Sequence, residues 1–335
     1  MYYTEFLRAL RGLRVIGIVL GILLVLGVGM RLVTLRSASP DAWVSDFTKA
    51  PGAVIRQTRL ADGSRKTTID NAAKHTHVTV VDFGIRGKQV SIVEPSGSAS
   101  RRDYTVIFGS TNRNDDGKTT RILIDTTARF DIDFSVFFAL AVLFGLGIAT
   151  LLSCPLGKEN DGHLELVWTK PASREVYALI AISVDIAAIA AAELATVAVF
   201  LFMFLLFPGP ALTWEPATTG VLLAALLGPV AWYALLTALS ASLKRGMGAV
   251  VGTAWPVALI LPGLSLAYFG ESVVGRAVHE IFHTLNFFNP IGYLHLRSVG
   301  HAVVIQNAPD AISLLAVLAF VYLALAIVQW RRVEA

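Results

Sequence analysis

The stretch VIGIVLGILLVLGVGM, from Val15 to Met30, contains no charged side chain and no hydroxyl or amide side chain. A helix needs about 20 predominantly apolar residues to cross the ~30 Å hydrocarbon core of a bilayer. With its flank, from 15 to 36, this stretch therefore predicts a first transmembrane helix. Five further apolar runs predict five more, and they are Phe134–Leu152, Tyr177–Phe207, Thr218–Leu243, Ala249–Phe269 and Ala311–Trp330. The expected fold is an all-α polytopic membrane bundle of about six transmembrane helices.

The composition is also typical of a membrane protein. Of the 335 residues, 55% are hydrophobic and 16% are charged, whereas a soluble domain is about 45–50% apolar and about 25% charged. The net charge of +4 is small, and the basic residues lie beside apolar runs or in one polar block. They indicate membrane orientation, and no nucleic-acid partner is expected. Cys154 is the one cysteine of the sequence, so an intrachain disulfide is excluded.

Residues 1–14 have two different faces when they are drawn as a helix. The apolar face consists of Tyr3, Phe6, Leu7, Leu10 and Leu13. Glu5, Arg8 and Arg11 lie on the other face. The pattern predicts an interfacial amphipathic helix whose arginines reach the lipid headgroups. A cleaved signal peptide is the alternative, but Pro40 directly follows the small-residue stretch 37–39, which favours an uncleaved span.

Residues 37–133 consist of short β-prone runs separated by polar turn signals. The runs are HVTVVDF, KQVSIVEP, YTVIFGS and TRILIDT, and the turn signals are ADGS, PSGS and NDDG. They predict a β-rich domain inserted between the first and second transmembrane helices. His75 and His77 are expected to share one strand face. They are either metal ligands or, since no third ligand cluster stands nearby, two exposed histidines.

Lysine and arginine residues in the short loops set the expected orientation. With six spans, four basic groups fall on one side of the membrane, and they are Arg8, Arg11 and Arg14; Lys158, Lys170 and Arg174; Lys244 and Arg245; and Arg331 and Arg332. The loop 208–216, on the other side, has no basic residue. Both termini and the loop 153–176 are therefore expected in the cytoplasm, with residues 37–133 and the loop 270–310 outside it.

The loop 153–176 carries the most informative polar pattern. An acidic residue and a glycine precede an L-E-L run, and a polar step leads to Pro-x-Ser-Arg at the next span. These residues are Glu159, Gly162, Leu164, Glu165, Leu166, Pro171 and Arg174. A short helix is expected from His163 to Lys170, because Asp161-Gly162 precedes it and Pro171 follows it. The pattern resembles the first cytoplasmic loop of ATP-binding-cassette (ABC) transporter permeases of the type-two exporter class; the alternative is an ordinary solvated loop.

The resemblance extends to the six spans, to both termini lying inside, and to Asn289-Pro290 and Tyr293 before the last span. It implies that the loop 153–176 is a coupling helix that docks on a separate ABC ATP-binding subunit. ATP and Mg would be bound by that partner and no cofactor by this chain, which contains no G-x-x-x-x-G-K-[ST] phosphate loop. It also implies a second permease copy or a related permease. The large block 37–133 departs from the short outer loop of many family members.

These implications lead to one expected function. The chain would be a permease subunit in a bacterial inner membrane, without enzymatic activity of its own. ATP hydrolysis by the partner would move a hydrophobic or amphipathic substrate across the bilayer. A membrane-anchored sensor or binding protein, working through residues 37–133, is an alternative of another class.

Two acidic residues lie within the third predicted span. Asp185 and Glu193 are eight residues apart, so they share roughly one helix face. Ionised groups in a span are costly and face the bundle interior, a partner or an aqueous cavity. We expect them to face a transport path or the dimer seam; a purely structural role is the alternative.

A competing motif lies in the loop 270–310, which could form a re-entrant helical pair. His279, Glu280 and His283 match H-E-x-x-H, in which two histidines bind zinc and the glutamate serves as a base. A catalytic zinc needs a third protein ligand, and Asn289 stands where an extended motif has a histidine. His295 and His301 are the possible third ligands. A membrane zinc metalloprotease is therefore the second alternative function.

Overall fold

The computed structural model describes residues 2–37, 47–61, 63–83, 88–96, 110–125, 131–153, 155–156, 174–206, 211–243, 247–270 and 272–332. Helices predominate in these residues. Their bounds are α1 Tyr2–Ser37, α2 Ser135–Leu152, α3 Arg174–Leu205, α4 Pro216–Ser240, α5 Met247–Leu266, α6 Val273–Phe287 and α7 Ala308–Arg332. Apart from α6, these are six helices long and apolar enough to cross a membrane. They indicate a multi-pass membrane protein, as the apolar runs predict.

The first helix, α1, is continuous over 36 residues, which corresponds to about 54 Å at 1.5 Å per residue. Residues 2–14, which the amphipathic pattern separates from the span 15–36, belong to the same unbroken helix. Such a length exceeds the ~30 Å hydrocarbon core. Where the bilayer crosses α1, and whether its first turns lie in the interface, stay predictions.

The helical core is built around α4, whose Trp232, Tyr233 and Leu236 are fully buried. This helix packs against α2 and α7. The indole nitrogens of Trp232 and of Trp255, on α5, both donate to Oγ1 of Thr150 on α2, at 3.0 and 3.1 Å. One threonine hydroxyl therefore joins three helices. Because buried indole N–H groups need a partner, this contact also fixes where the two large rings lie.

The strands between α1 and α2 form a six-stranded antiparallel sheet in the order β1-β2-β3-β4-β6-β5. Their bounds are β1 Ala53–Arg59, β2 Arg65–Asn71, β3 Thr76–Asp82, β4 Lys88–Pro95, β5 Ser110–Asp115 and β6 Thr119–Asp125. One face is apolar and contributes Ile69, Val78, Val80, Val90, Ile92, Ile122 and Ile124 to a core with Phe47. The other face has a hollow of about 440 Å³ lined by Thr79, Val81, Gln89, Ser91, Asn112, Asn114, Arg121 and Leu123.

The strands β3, β4 and β6 confirm three of the predicted β runs, whereas the run YTVIFGS lies almost entirely outside the described residues. The chain divides into two compact units. The first comprises Met1–Ile22, Asp133–Phe200 and Thr213–Ala335, and the second comprises Leu23–Ile132 and Leu201–Leu212. Because the second unit includes parts of α1 and α3, a separate domain bounded at 37–133 stays a prediction, as does its extracytoplasmic location.

The prediction that His75 and His77 share a strand face is wrong. The side chain of Asn71 accepts a hydrogen bond from the backbone N–H of Lys74, and residues Ala72–Lys74 form a 3-10 turn. His75 closes that turn in the left-handed region, at φ 48°, so the strand begins one residue later. His77 lies in β3, where its ring contacts the carboxylate of Asp70 on β2 and the hydroxyl of Thr79.

The segment between α5 and α7 contains one helix and a hairpin, not the helical pair that the sequence suggests. After α6 comes a 3-10 turn, Pro290–Tyr293, followed by the antiparallel strands β9 Leu296–Val299 and β10 Ala302–Ile305. A shorter ribbon pairs β7 Asp131–Asp133 with β8 Ala211–Thr213.

Candidate functional site

A buried ion pair joins α1 to α3. Nη2 of Arg8 lies 2.8 Å from Oδ1 and 2.9 Å from Oδ2 of Asp185, whose side chain is fully buried. Nε of Arg8 donates to Oε2 of Glu5 at 2.8 Å, and Glu5 is buried as well. The expectation that Arg8 points to lipid headgroups is therefore wrong, because its guanidinium is the counter-charge of the buried Asp185 carboxylate.

Two tyrosine hydroxyls complete this arrangement. Tyr233 on α4 donates to Oδ2 of Asp185 at 2.8 Å, and Tyr177 on α3 donates to Oε1 of Glu5 at 3.1 Å. Each of the four carboxylate oxygens thus accepts a hydrogen bond, as a stable buried polar network requires. We refer to Glu5, Arg8, Tyr177, Asp185 and Tyr233 as the polar cluster. It joins α1, α3 and α4 near the end of α3 that follows the loop 153–176.

The same end of α3 is also attached to α7. Nε of Arg331 lies 3.3 Å from Oε1 of Glu175, and the ring of Tyr177 lies 6.4 Å from that of the buried Trp330, centroid to centroid. The exposed ion pair stabilises little by itself, whereas the buried aromatic contact contributes apolar burial. The first turns of α3 are therefore held by α1, α4 and α7 together.

The residues of the proposed coupling loop stand before this end of α3. Glu159, Gly162, Leu164, Glu165, Leu166 and Pro171 lie outside the described residues. Arg174 is the first residue of α3 that the structure describes, and the start of the helix at the Pro-x-Ser-Arg pattern stays a prediction. Docking on an ATPase and the short helix 163–170 stay predictions.

Glu193, two turns further along α3, has a different environment. It is 4% exposed. A methyl group added at Gly145 of α2 would lie 2.5 Å from its Oε1 and 2.6 Å from Cγ of Pro229 on α4, so the carboxyl fills the space between α2, α3 and α4. In the described part of the chain nothing donates a hydrogen bond to Oε1. Asp185 and Glu193 are both buried; a role in a transport path or dimer seam stays a prediction.

The H-E-x-x-H residues lie on the amphipathic helix α6. The rings of His279 and His283 are 6.2 Å apart, centroid to centroid, and Glu280 is exposed. His295 and His301 lie beyond the helix, in the hairpin segment. Among the residues that the structure describes, no three His, Cys, Asp or Glu side chains are grouped so that they could hold a metal ion. The described geometry therefore gives the zinc hypothesis no support.

The Asn-Pro motif before the last span has an identifiable structural role. Pro262 in α5 has no N–H, which leaves the carbonyl of Ala258 without its usual helical donor. Nδ2 of Asn289 donates to that carbonyl at 2.8 Å. The hydroxyl of Tyr293 donates to the carbonyl of Phe287 at 2.9 Å. The motif thus binds the end of α6 to α5.

Asp133 organises the opposite end of the bundle. Its carboxylate accepts hydrogen bonds from the backbone N–H groups of Ser135 and Glu215, both at 2.8 Å, and from the hydroxyl of Thr218 at 2.5 Å. Burial acts to raise the pKa of Asp133, but these hydrogen bonds outweigh it and hold the pKa below its usual value. Asp133 thereby fixes the starts of α2 and α4 relative to each other.

The sequence pattern alone missed most of the polar cluster. It placed Arg8 and Glu5 at the membrane surface and did not single out Tyr177, Tyr233 or Asp133. One signal was present in the sequence. Asp185 lies within a predicted span, whereas the nearest arginines lie in the segments that flank the spans. A buried carboxyl that is ionised and lacks a basic neighbour in its own span can take its partner charge from such a flank, as Asp185 does.

Comparison of this chain with known protein-family models, with curated proteins and with solved structures finds no match. The resemblance to ABC permeases therefore depends on the residues quoted for it. The polar cluster and the attachments of α3 are the structural observations on which a functional proposal can build.

Proposed function

We propose that this chain is the membrane-spanning permease subunit of an ABC exporter. The observation that supports the proposal best is the attachment of the first turns of α3 to α1, α4 and α7. These turns directly follow the loop 153–176, which resembles a coupling helix. A displacement of that loop would act on three helices at once, which is what a permease needs in order to convert a distant ATPase motion into movement of its bundle.

The polar cluster is well suited to transmit such a displacement. Separating Arg8 from Asp185 would leave the buried Asp185 carboxylate without a counter-charge, at a cost of several kcal/mol, so α1 and α3 would move together. ATP and Mg would be bound by the partner ATPase, which would push on residues Glu159 to Arg174 when it closes. This chain would perform no covalent chemistry. A hydrophobic or amphipathic substrate would be moved by the chain together with a second or related permease, in a bacterial inner membrane.

The experiment is a pull-down of the tagged full-length chain from native membranes in gentle detergent. The test variant is Glu165→Lys in the proposed coupling helix. The matched control is Glu280→Lys, which makes the same change at an exposed position on α6. We expect a soluble nucleotide-binding protein to co-purify with the wild type and the control but not with Glu165→Lys.

Two results would contradict the exporter proposal. One is the absence of any nucleotide-binding partner under conditions that preserve other membrane complexes. The other is equal recovery of that partner with both variants, which would place docking elsewhere. Loss of function in Glu280→Lys, together with zinc bound by the wild type, would instead revive the metalloprotease hypothesis.

A second function is supported by the polar hollow on the sheet. Its lining includes the side chains of Asn112, Asn114 and Arg121, which could hydrogen-bond a ligand, as expected of a membrane-anchored binding protein. In that case the full-length double variant Asn112→Ala, Asn114→Ala would lose function while Glu165→Lys would retain it. The opposite result would favour the exporter.

A further inference from the structure

We propose that Glu193 is a proton-binding site enclosed by α2, α3 and α4. Its carboxyl group holds a proton while the three helices are packed and releases it when they separate. The inference does not depend on the ABC assignment, since it concerns the interior of this chain alone.

The helices packed against Glu193 offer no counter-charge. Neither α2 nor α4 contains a lysine, arginine or histidine, and Tyr233 is their single titratable side chain. The helix α5 and the stretch of α1 from Val15 to Met30 have no ionisable residue. An isolated carboxylate in such surroundings is far more costly than the neutral acid, so Glu193 is neutral in the packed bundle.

The charged groups on α3 itself do not compensate. Arg174 and Glu175 lie at the start of the helix, followed by Tyr177 and Asp185. Asp185 is eight residues from Glu193, about 12 Å along the axis, and is bound by Arg8 and Tyr233. Glu193 therefore lies too far from Asp185 for a hydrogen bond between the two side chains.

The surroundings of Glu193 favour a proton over a metal ion as the ligand. A methyl group added at Gly145 would collide with Oε1 and with Cγ of Pro229, so α2 packs tightly against this side of the carboxyl. A metal ion would in addition require several ligands, and no such group occurs within the described ranges. A single proton on the carboxylate needs no further space.

The helix α4 also contains a carbonyl that lacks its helical donor. Because Pro229 lacks an N–H, the carbonyl of Ala225, four residues earlier on α4, has no helical donor. A protonated Glu193 carries an O–H group that can donate a hydrogen bond to a carbonyl of this type. When the helices separate and water enters, the acid transfers its proton to water and becomes a carboxylate; when they close, it takes one proton back, and no other bond changes.

Infrared spectroscopy of the full-length chain in lipid tests the proposal, because a protonated carboxylic acid has its own C=O stretching band, which shifts in D₂O. At about pH 6 an exposed glutamate, with a pKa of about 4.3, is ionised and gives no such band. We expect the wild type to show the band, Glu193→Gln to lose it, and Glu175→Gln, the same change at the exposed start of α3, to keep it.

A second variant tests the site if Glu193→Gln fails to fold. Gly145→Ala retains the acid but introduces a methyl group that would press on Oε1, so the band should change position. The proposal is overturned if the wild type lacks the band, if Glu193→Gln keeps it, or if Gly145→Ala leaves it unmoved. None of these outcomes depends on finding an ATPase partner.

Discussion

Arg8 and Asp185 show that a polar side chain near the start of a helix can bind a partner in the interior of the molecule. Both oxygens of Asp185 lie within 2.9 Å of one guanidinium nitrogen, and the arginine side chain is 26% exposed. The pair therefore stands at the border between buried and accessible. At such a position the loss of one partner costs more than the pair itself contributes, because the remaining charge keeps its desolvation cost.

Replacing Asp185 by asparagine is expected to destabilise the chain by about 3 kcal/mol, since Arg8 would lose one of its two carboxylate partners and keep only Glu5. Denaturant or thermal unfolding of the detergent-solubilised protein measures this. The control is Asp310→Asn, at an exposed position in the first turn of α7, with an expected effect of about 0.5 kcal/mol or less. Equal effects of the two variants would show that the ion pair does not stabilise the fold.

A double replacement distinguishes the effect of the two charges on stability from the effect of the volume that the two side chains fill. In a Glu5→Gln background, which removes the second carboxylate that Arg8 binds, we expect Arg8→Met combined with Asp185→Leu to be more stable than Asp185→Asn, because no unpaired charge is left in the polar cluster. Unfolding under the same conditions provides the comparison. If the double variant is the less stable one, shape and hydrogen bonding dominate over charge at this position.

At the level of single elements, Asp133 determines how α2 and α4 begin. The helix α4 has Glu215 at its N-cap position, where the Glu215 and Thr218 side chains form a capping box. The carboxylate of Asp133 accepts hydrogen bonds from the backbone N–H of Glu215 and from the hydroxyl of Thr218. In addition, the hydroxyl of Ser135 accepts from the N–H of Val303 on β10 at 2.8 Å. Three elements thus depend on one carboxylate and its neighbour.

The lowered pKa of Asp133 predicts a loss of stability in acid. A carboxyl whose folded pKa lies below its unfolded value of about 3.9 stabilises the fold above that value, and this contribution is lost as the pH falls through the folded pKa. Asp133→Asn, which cannot titrate, should show a smaller decrease in melting temperature between about pH 6 and pH 3. Parallel decreases in the wild type and the variant would contradict this role.

The elements that the sequence pattern missed have a common cause. The strands β1, β2 and β5 are rich in arginine, asparagine, aspartate and threonine, and they lack the alternation of apolar residues that predicts a strand. They form because a neighbouring strand offers a ladder of N–H and C=O groups. The turns between paired strands were easier to predict, since they contain glycine, which adopts a positive φ more readily than other residues. Gly63 and Gly117 both have a positive φ in the structure.

For the whole molecule, the distribution of basic residues predicts the orientation in the membrane. Single-cysteine variants made in a Cys154→Ser background test it with a membrane-impermeant maleimide on intact spheroplasts. Thr58→Cys, exposed on β1, should be labelled, whereas Arg332→Cys, exposed at the end of α7, should react only after permeabilisation. If only Arg332→Cys is labelled on intact spheroplasts, the orientation is the opposite of the predicted one, and the loop 153–176 lies outside the cytoplasm.

The amino-acid sequence by itself determined the number and position of the apolar helices, three strands of the sheet and the presence of acidic residues in one span. These properties depend on local composition and periodicity, which the chain carries without reference to its partners. Only the tertiary structure decided that Arg8 binds Asp185, that Tyr233 completes the polar cluster and that Glu193 stands enclosed without a counter-charge. These contacts join residues more than thirty positions apart, so they depend on how the helices pack rather than on any local pattern.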